Sequence, residues 1–142
     1  MLKTYEHINP INSWGERSYF INPEMKLKRG SYFATVKSKD GENDRASLLK
    51  RPGVFRLNIG LTLKKYEEDF GMRPSRPPKG EVIEGNYDFQ ALNIFMPHPI
   101  YGWCGWIAMN NPEQDNFAKC QEHLDIAYQK AWKISMKKLK AT

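Results

Sequence analysis

The sequence predicts an α+β protein in which a long C-terminal helix packs on one face of an antiparallel β-sheet. Three observations carry this prediction. Short segments rich in aromatic and β-branched residues follow one another between residues 17 and 109. Apolar residues then recur every three to four positions over residues 112–140, which is typical of a helix. The strands therefore come in succession before the long helix, and this order favours antiparallel pairing.

Length and composition narrow the class of protein. A chain of 142 residues with 40% hydrophobic and 13% aromatic residues predicts one folded domain over residues 1–142. No apolar run approaches the ~20 residues that a membrane-spanning helix needs, so no membrane partner is expected. The two cysteines, Cys104 and Cys120, have no C-x-x-C spacing. We therefore expect no disulfide framework and a cytoplasmic protein.

The strands are predicted from local pattern. Residues 1–13 are polar and contain Asn9-Pro10, so they predict an N-terminal extension that is a loop or at most one short helix. Five later segments predict strands, at residues 17–21, 31–37, 54–59, 87–96 and 103–109. The third of these alternates strictly, which predicts one buried and one polar face. Its apolar set is Phe55, Leu57 and Ile59, and its polar set is Arg56 and Asn58.

Two helices are predicted from spacing and capping. Thr62 is suited to begin a helix that runs through Phe70 and ends at Gly71. Residues 72–85 contain three prolines and predict a loop. The second helix is predicted over residues 112–140, with Asn111 as its cap. Its buried stripe is expected to be Phe117, Cys120, Leu124, Ala127 or Tyr128, Ala131 and Ile134.

Several blocks of the chain resemble an uncharacterised bacterial family of unknown function. They stand in that family's order over about residues 14–132: Trp14-Gly15 with Tyr19-Phe20 and Pro23, Phe33-Ala34-Thr35-Val36, Asp44-Arg45-Ala46-Ser47-Leu48, Arg51-Pro52-Gly53-Val54-Phe55-Arg56-Leu57-Asn58, His98-Pro99-Ile100-Tyr101-Gly102, Gly105-Trp106 and Asn111-Pro112. More distantly, the layout is similar to MmcQ/YjbR-like proteins. That resemblance implies a small α+β fold of frataxin-like arrangement and, at most, a candidate nucleic-acid-binding activity.

His98 is the leading candidate for a functional side chain. Pro97 and Pro99 stiffen the backbone on both sides of it, and Tyr101 follows three residues later. Histidine titrates near neutrality, so His98 with Tyr101 would suit general acid–base chemistry if the protein is an enzyme. The alternative is a structural histidine whose ring bonds the backbone of a proline-rich turn.

An anion-binding groove is the leading hypothesis for this region. Guanidinium groups bind carboxylates and phosphates through paired hydrogen bonds, and Arg56 lies on the polar face of its strand. The expected ligand-binding set is Asp44, Arg45, Arg56, His98, Tyr101, Trp103 and Trp106. Alternatively, Arg56 is solvated or paired with Asp44 and only holds a loop.

The tryptophans Trp103 and Trp106 stand three apart in one predicted strand. They are therefore expected on opposite faces, one under the helix and the other toward the open side. Most other aromatic residues are expected to form the core, although base-stacking platforms are the alternative.

Other chemistries are disfavoured. Cys104 falls in a predicted strand, away from the helix N-terminus that would stabilise a thiolate nucleophile. The three histidines are far apart in sequence and lack the spacing of metal ligands, so no metal is expected. The glycines are scattered singly, so no phosphate-cradling loop and no cofactor are expected.

The net charge of +6 raises nucleic-acid binding as an alternative. Between residues 126 and 142 five lysines occur without an acidic residue: Lys130, Lys133, Lys137, Lys138 and Lys140. Acidic residues early and basic residues late also complement a helix dipole, which is the simpler interpretation. The sequence thus predicts a small binding module for an anionic small molecule or peptide group. Nucleic-acid binding through the lysine-rich helix and an enzyme centred on His98 are the alternatives.

Overall fold

The computed structural model describes residues 5–141 and confirms the α+β prediction. The elements in chain order are β1 (Ile8–Ser13), β2 (Glu16–Ile21), β3 (Ser31–Lys37), β4 (Arg56–Gly60), α1 (Leu63–Phe70), β5 (Met96–Pro97), β6 (Trp106–Asn110) and α2 (Phe117–Ala141). The strands form one antiparallel sheet in the order β1-β2-β3-β4-β6-β5. Within the described residues, no helix combines the length and apolarity needed to cross a bilayer.

Helix α2 covers one face of the sheet. Its buried stripe packs against the side chains that β3, β4 and β6 direct to that face, and together they form the main core. The helix contributes Cys120, Leu124, Ala127 and Ala131, and the central strands contribute Phe33, Ala34, Leu57, Ile59, Ile107 and Met109. Four of the predicted stripe positions are therefore buried, whereas Phe117 and Ile134 are exposed and Ser135 is buried instead.

The opposite face of the sheet is divided. One part is covered by the loop after α1, where Ile83 and Phe89 pack on Met96 and Ala108 in a second, smaller core. The rest remains open toward solvent between the loop around residues 76–80 and the segment around residues 98–103. This open part carries the polar residues of β2, β3 and β4.

Helix α1 forms as its sequence predicts. The Thr62 hydroxyl accepts a hydrogen bond from the Lys65 N–H at 3.2 Å, which satisfies one of the free amides of the first turn. The helix ends at Gly71, whose φ of +80° suits glycine. The strands predicted at residues 17–21 and 31–37 are also confirmed, as β2 and β3.

The N-terminal prediction is wrong for residues 8–13, which form β1 and pair with β2. Pro10 is tolerated because β1 is an edge strand and needs no ladder hydrogen bond on its outer side. Trp14 and Gly15, with φ of +50° and +76°, make the two-residue turn into β2. Residues 1–4 lie outside the described residues.

The strand predicted at residues 87–96 is wrong except at its end. Only Met96 and Pro97 join the sheet, as β5. The apolar alternation through Leu92 and Ile94 misleads because both side chains are largely exposed. Asn93 has a φ of +58°, which interrupts an extended chain at that point.

The last strand is shorter than predicted. Residues 102–104 form a single 3₁₀ turn, and Gly105, at φ +93°, reverses the chain before β6 begins at Trp106. Trp103 and Cys104 therefore do not belong to the strand.

The C-terminal helix begins later than its predicted start. Asn111 does not cap it, because its side chain accepts from the Phe55 N–H and donates to the Gly53 carbonyl. A 3₁₀ turn at residues 114–116 precedes α2. The side-chain oxygen of Asn93 accepts a hydrogen bond from the Glu113 N–H at 2.8 Å. The segment that leads into α2 is therefore held by a residue of a distant loop.

Candidate functional site

A cleft of about 690 Å³ occupies the open part of the sheet. Its floor consists of the side chains that β2, β3, β4 and β6 direct away from α2, and its walls are the loop at residues 76–80 and the segment at residues 98–103. The lining includes the cations Arg29, Lys37, Arg76 and Lys79, the acids Glu16 and Asp44, and the rings of Phe20, Tyr32, His98, Tyr101, Trp103 and Trp106. A volume of this size is within the ordinary range for small-molecule sites.

A polar chain crosses the floor of the cleft from strand to strand. The Thr35 hydroxyl donates to Glu16 Oε2 at 2.9 Å, and Asn58 Nδ2 donates to Thr35 Oγ1 at 2.9 Å. Arg56 Nε then donates to Asn58 Oδ1 at 2.7 Å. The residues joined by these hydrogen bonds lie on β2, β3 and β4, and the strand registers place their side chains next to one another.

Arg56 is the last residue in this series of hydrogen bonds. It lies beneath the cleft and is completely buried, at 0% exposure. Its guanidinium makes a two-point ion pair with Asp44, in which Nη1 lies 3.0 Å from Oδ1 and Nη2 bonds Oδ2. Nη1 also donates to Ser47 Oγ at 3.2 Å, and Nη2 lies 3.2 Å from His98 Nε2. Asn58, Ser47 and the two Asp44 oxygens accept from four of the five N–H groups, and the fifth faces His98 Nε2 inside the protein. Arg56 thus has no donor left for a ligand.

Asp44 is held ionised by this pairing. Burial alone would raise the pKa of its carboxyl, but the hydrogen bonds and positive charge of Arg56 outweigh burial and lower that pKa below its ordinary value. The pair therefore adds no net charge to the cleft. A two-point pair of this kind fixes the loop at residue 44 against β4.

His98 caps the turn that follows it. Its Nδ1 atom accepts hydrogen bonds from the backbone N–H groups of Ile100 and Tyr101, both at 3.1 Å. Pro99, which lies between His98 and Ile100, has no N–H to compete. His98 is 3% exposed and is one of the residues that line the cleft. The geometry matches the structural role that the proline-rich turn suggests.

The surroundings of His98 disfavour its charged form. An imidazolium carries an N–H on both ring nitrogens, whereas here Nδ1 faces two backbone donors and Nε2 faces the Arg56 guanidinium. Burial and the charge of Arg56 lower the pKa of His98 well below its ordinary value. The lone pair of Nδ1 is directed at two backbone N–H groups, and the proton of the neutral ring is then on Nε2. The ring therefore has no free lone pair to take a proton from a bound molecule.

The ligand-binding residues predicted from the sequence divide into two groups. Those that line the cleft are Asp44, His98, Tyr101, Trp103 and Trp106. Arg56 lies beneath them, and Arg45 is exposed outside the lining. The expected polar face of β4 is thus a buried polar layer, since Arg56 and Asn58 are both nearly inaccessible to solvent.

The expectation that Trp103 and Trp106 lie on opposite faces is wrong. They belong to different elements, the 3₁₀ turn and β6, and both rings line the same cleft. The Arg76 guanidinium lies over the Trp103 ring, 5.2 Å from its centroid.

The cations of the cleft are the residues that sequence reasoning missed. Lys37 ends β3, Arg29 lies in the loop before β3, and Arg76 and Lys79 lie in the proline-rich loop. A signal for Lys37 was present, because Thr35 and Lys37 alternate with Val36 along a predicted strand. No local pattern in the sequence indicates that the proline-rich loop folds over the sheet.

Two lysines near the C-terminal end of α2 form hydrogen bonds with other parts of the protein. Lys130 Nζ donates to the Leu61 carbonyl at 2.9 Å, and burial lowers the pKa of Lys130. Lys138 Nζ lies 3.4 Å from Ser31 Oγ. The remaining three, Lys133, Lys137 and Lys140, are exposed.

The cysteines are both unpaired. Burial raises the pKa of Cys104 and raises that of Cys120 to about 11, so both are held as thiols. Among residues 5–141 no group of three or more His, Cys, Asp or Glu side chains is arranged to hold a metal ion.

Comparison with known proteins identifies the family. No curated protein and no solved structure matched the chain. One family model, described as a family of unknown function, matches residues 1–140, which is nearly the whole sequence. Because this match covers residues 1–140, the chain belongs to the DUF6194 family.

Proposed function

We propose that the protein binds an anionic small molecule in the cleft on the open face of its sheet. The observation that carries this proposal is the charge of the lining. Four cations, Arg29, Lys37, Arg76 and Lys79, face two acids, and one of those acids is neutralised by buried Arg56. The cleft therefore has a surplus of positive charge that a bound anion would balance.

The four cations are available to a ligand. Within the described residues none of them takes part in an ion pair, although acidic side chains elsewhere pair with Lys26, Lys65 and Arg73. Unpaired cations clustered around a concave, partly enclosed surface are more effective than the same charges on a flat surface, because low-dielectric walls focus the field. An anionic end group on a small molecule or on a peptide would satisfy this chemistry.

A thermal-shift measurement tests the proposal. The probes are inorganic phosphate, citrate, ribose 5-phosphate and adenosine 5′-monophosphate, compared at equal ionic strength. We expect at least one of them to raise the melting temperature of the wild type and to lose most of that effect in Lys37→Ala with Arg76→Ala. Lys64→Ala is the matched control, since Lys64 is an exposed lysine on α1 away from the cleft.

Two results would contradict the proposal. One is that no anion in this panel stabilises the wild type at millimolar concentration. The other is that the stabilisation is equal in the cleft variant and in Lys64→Ala, since it would then come from charge screening over the whole surface.

A second candidate function is nucleic-acid binding by the exposed lysines of α2. Lys133, Lys137 and Lys140 are spaced by four and three residues, so they lie along one face of the helix. Binding to duplex DNA through them would weaken with salt, with a slope of about −0.9 per phosphate neutralised. Replacing all three by alanine should reduce that slope, and binding that does not depend on salt would exclude this candidate.

We also propose that this is a bacterial cytoplasmic protein whose fold is of the MmcQ/YjbR-like, frataxin-like kind. The order of strands before a long helix supports the fold assignment. Two unpaired cysteines, one buried and one half-buried, support a reducing compartment.

A further inference from the structure

Three aromatic rings form a continuous row on the floor of the cleft. Tyr32 on β3 lies between Phe20 on β2 and Trp106 on β6. The ring centroids of Phe20 and Tyr32 are 5.3 Å apart, and those of Tyr32 and Trp106 are 5.2 Å apart. The Tyr32 and Trp106 planes differ by 33°, so the two rings present a nearly continuous surface.

Gly60 allows this row to form. Strand β4 lies between β3 and β6, so a side chain on β4 would separate Tyr32 from Trp106. Gly60 is paired with Trp106, and a Cβ atom added to Gly60 would lie 2.8 Å from Cζ2 of the indole. The Trp106 ring therefore lies across the backbone of β4 and reaches β3. The glycine is needed here for space, since its φ is not positive.

Two rings of the row, Tyr32 and Trp106, are accessible to a ligand, whereas Phe20 is buried at 8% exposure. Phe33 and Tyr66 are 1% exposed, whereas Tyr32 is 49% exposed and Trp106 is half-buried. A flat ring placed on Tyr32 and Trp106 would remove this apolar surface from water and would gain stacking contacts.

Positively charged side chains share the cleft with these rings. Arg29 is two residues from the start of β3, where Tyr32 lies, and it lines the cleft. Arg76 also lines the cleft, and its guanidinium lies over the Trp103 ring. The cleft thus combines flat rings with two arginines. Of its two acids, Asp44 is neutralised by Arg56, and Glu16 pairs in register with Lys37. A ligand in the cleft can therefore meet flat rings and cations together.

We propose that the cleft recognises a nucleoside phosphate, with its base stacked on Tyr32 and Trp106 and its phosphate bound by Arg29 and Arg76. This inference rests on the proposed anion-binding function and adds a requirement for a flat ring. Arginine suits phosphate because its N–H groups match two phosphate oxygens, and aromatic side chains accept any base on their faces. The cleft, at about 690 Å³, has room for a mononucleotide.

Isothermal titration with three probes tests the inference. Adenosine 5′-monophosphate carries both groups, ribose 5-phosphate carries the anion without the base, and adenosine carries the base without the anion. We expect the nucleotide to bind at least tenfold more tightly than either fragment. Tyr32→Ala should weaken nucleotide binding by about tenfold, as expected for loss of one stacking partner, and should leave ribose 5-phosphate unchanged.

Trp14→Ala is the matched control, because Trp14 is 96% exposed at the β1–β2 turn and does not line the cleft. If ribose 5-phosphate binds as tightly as the nucleotide, with no effect of Tyr32→Ala, the stacking inference is overturned while anion binding stands. If adenosine binds as tightly as the nucleotide, or if none of the three probes binds, the inference is overturned, and the anion-binding proposal is decided separately by phosphate and citrate in the thermal-shift measurement.

Discussion

Arg56 and Asp44 form an ion pair beneath the floor of the cleft, with one carboxylate oxygen on each terminal nitrogen of the guanidinium. Arg56 is fully buried, and the Asp44 side chain is 15% exposed. The pair connects the loop before β4 to the middle of the sheet. Arg56 supports the cleft from below, and only the Asp44 side of the pair lines it.

Breaking this pair should destabilise the protein strongly. Asp44→Asn keeps the shape of the side chain but leaves the Arg56 charge buried without a counter-charge. We expect a loss of roughly 3–5 kcal/mol in the free energy of unfolding, measured by urea denaturation. Ser47→Ala removes one hydrogen bond from the same guanidinium and should cost only about 1 kcal/mol.

The exposed pair of Glu24 and Lys26 supplies the control for Asp44→Asn. Both side chains are more than half exposed, so Glu24→Gln should leave the unfolding free energy unchanged within error. Equal and small effects of Asp44→Asn and Glu24→Gln would show that Arg56 is solvated in the native protein.

Gly60→Ala should disturb Trp106 specifically. The added methyl group would approach the indole far inside contact distance, so the ring must turn away from Tyr32. We expect a loss of about 1–3 kcal/mol of stability, typical of overpacking, together with a change in the near-ultraviolet circular dichroism of the tryptophans.

Gly41→Ala is the matched glycine control. Its φ is not positive, and the nearest atom to an added Cβ is the flexible Lys37 Nζ at 3.3 Å. This variant should keep the wild-type spectrum and stability. A Gly60→Ala protein with an unchanged spectrum would show that Trp106 does not lie across β4.

Asn93 should be important for the start of α2 although it is 24 residues earlier in the chain than Phe117. It holds a φ of +58°, and its side-chain oxygen accepts the N–H of Glu113. Asn93→Ala loses this hydrogen bond and also forces alanine into the left-handed region. We expect a total cost of about 2 kcal/mol in the free energy of unfolding.

Asn93→Gly separates the two effects, because glycine accepts the backbone conformation but cannot make the bond. It should be destabilised less than Asn93→Ala in the same urea titration. Asn86→Ala, in the exposed part of the same loop, should have no effect. An equal loss in the alanine and glycine variants would mean that the backbone conformation costs nothing.

The parts of the fold that were predictable from the sequence are those encoded locally. A few neighbouring residues are enough to predict that α1 begins after Thr62 and ends at Gly71. The same is true of the buried stripe of α2 around Leu124. Strand β1 was missed because Pro10 argues against a strand unless the strand lies at an edge, and edges are set by the whole sheet.

The candidate site was predictable only in part, for the same reason. The polar turn at His98 and the pairing of Arg56 with Asp44 were among the alternatives that the sequence offered, and both occur. The cations of the cleft come from separate loops that meet only after the chain closes over the sheet. The position of Trp106 depends on Gly60, which is 46 residues away and adjacent only through strand pairing.

The burial of a neutral His98 should make stability depend on pH. The folded-state pKa of His98 lies well below the unfolded value of 6.5, so the unfolded chain binds a proton first as the pH falls. Stability is therefore fully present above that value and decreases below it. The loss due to this one side chain should grow as the pH falls from 6.5 towards the lowered folded-state pKa.

His98→Asn tests this directly. An asparagine oxygen can accept the N–H groups of Ile100 and Tyr101 as the imidazole does, but it does not titrate. The variant should lose less stability than the wild type between pH 7.5 and pH 5, with both measured by urea denaturation at constant ionic strength. In the wild type, the His98 ring proton signals should not shift over this range. Parallel stability curves for the two proteins, or a His98 signal that titrates near pH 6.5, would show that the imidazolium is accommodated beside Arg56 after all.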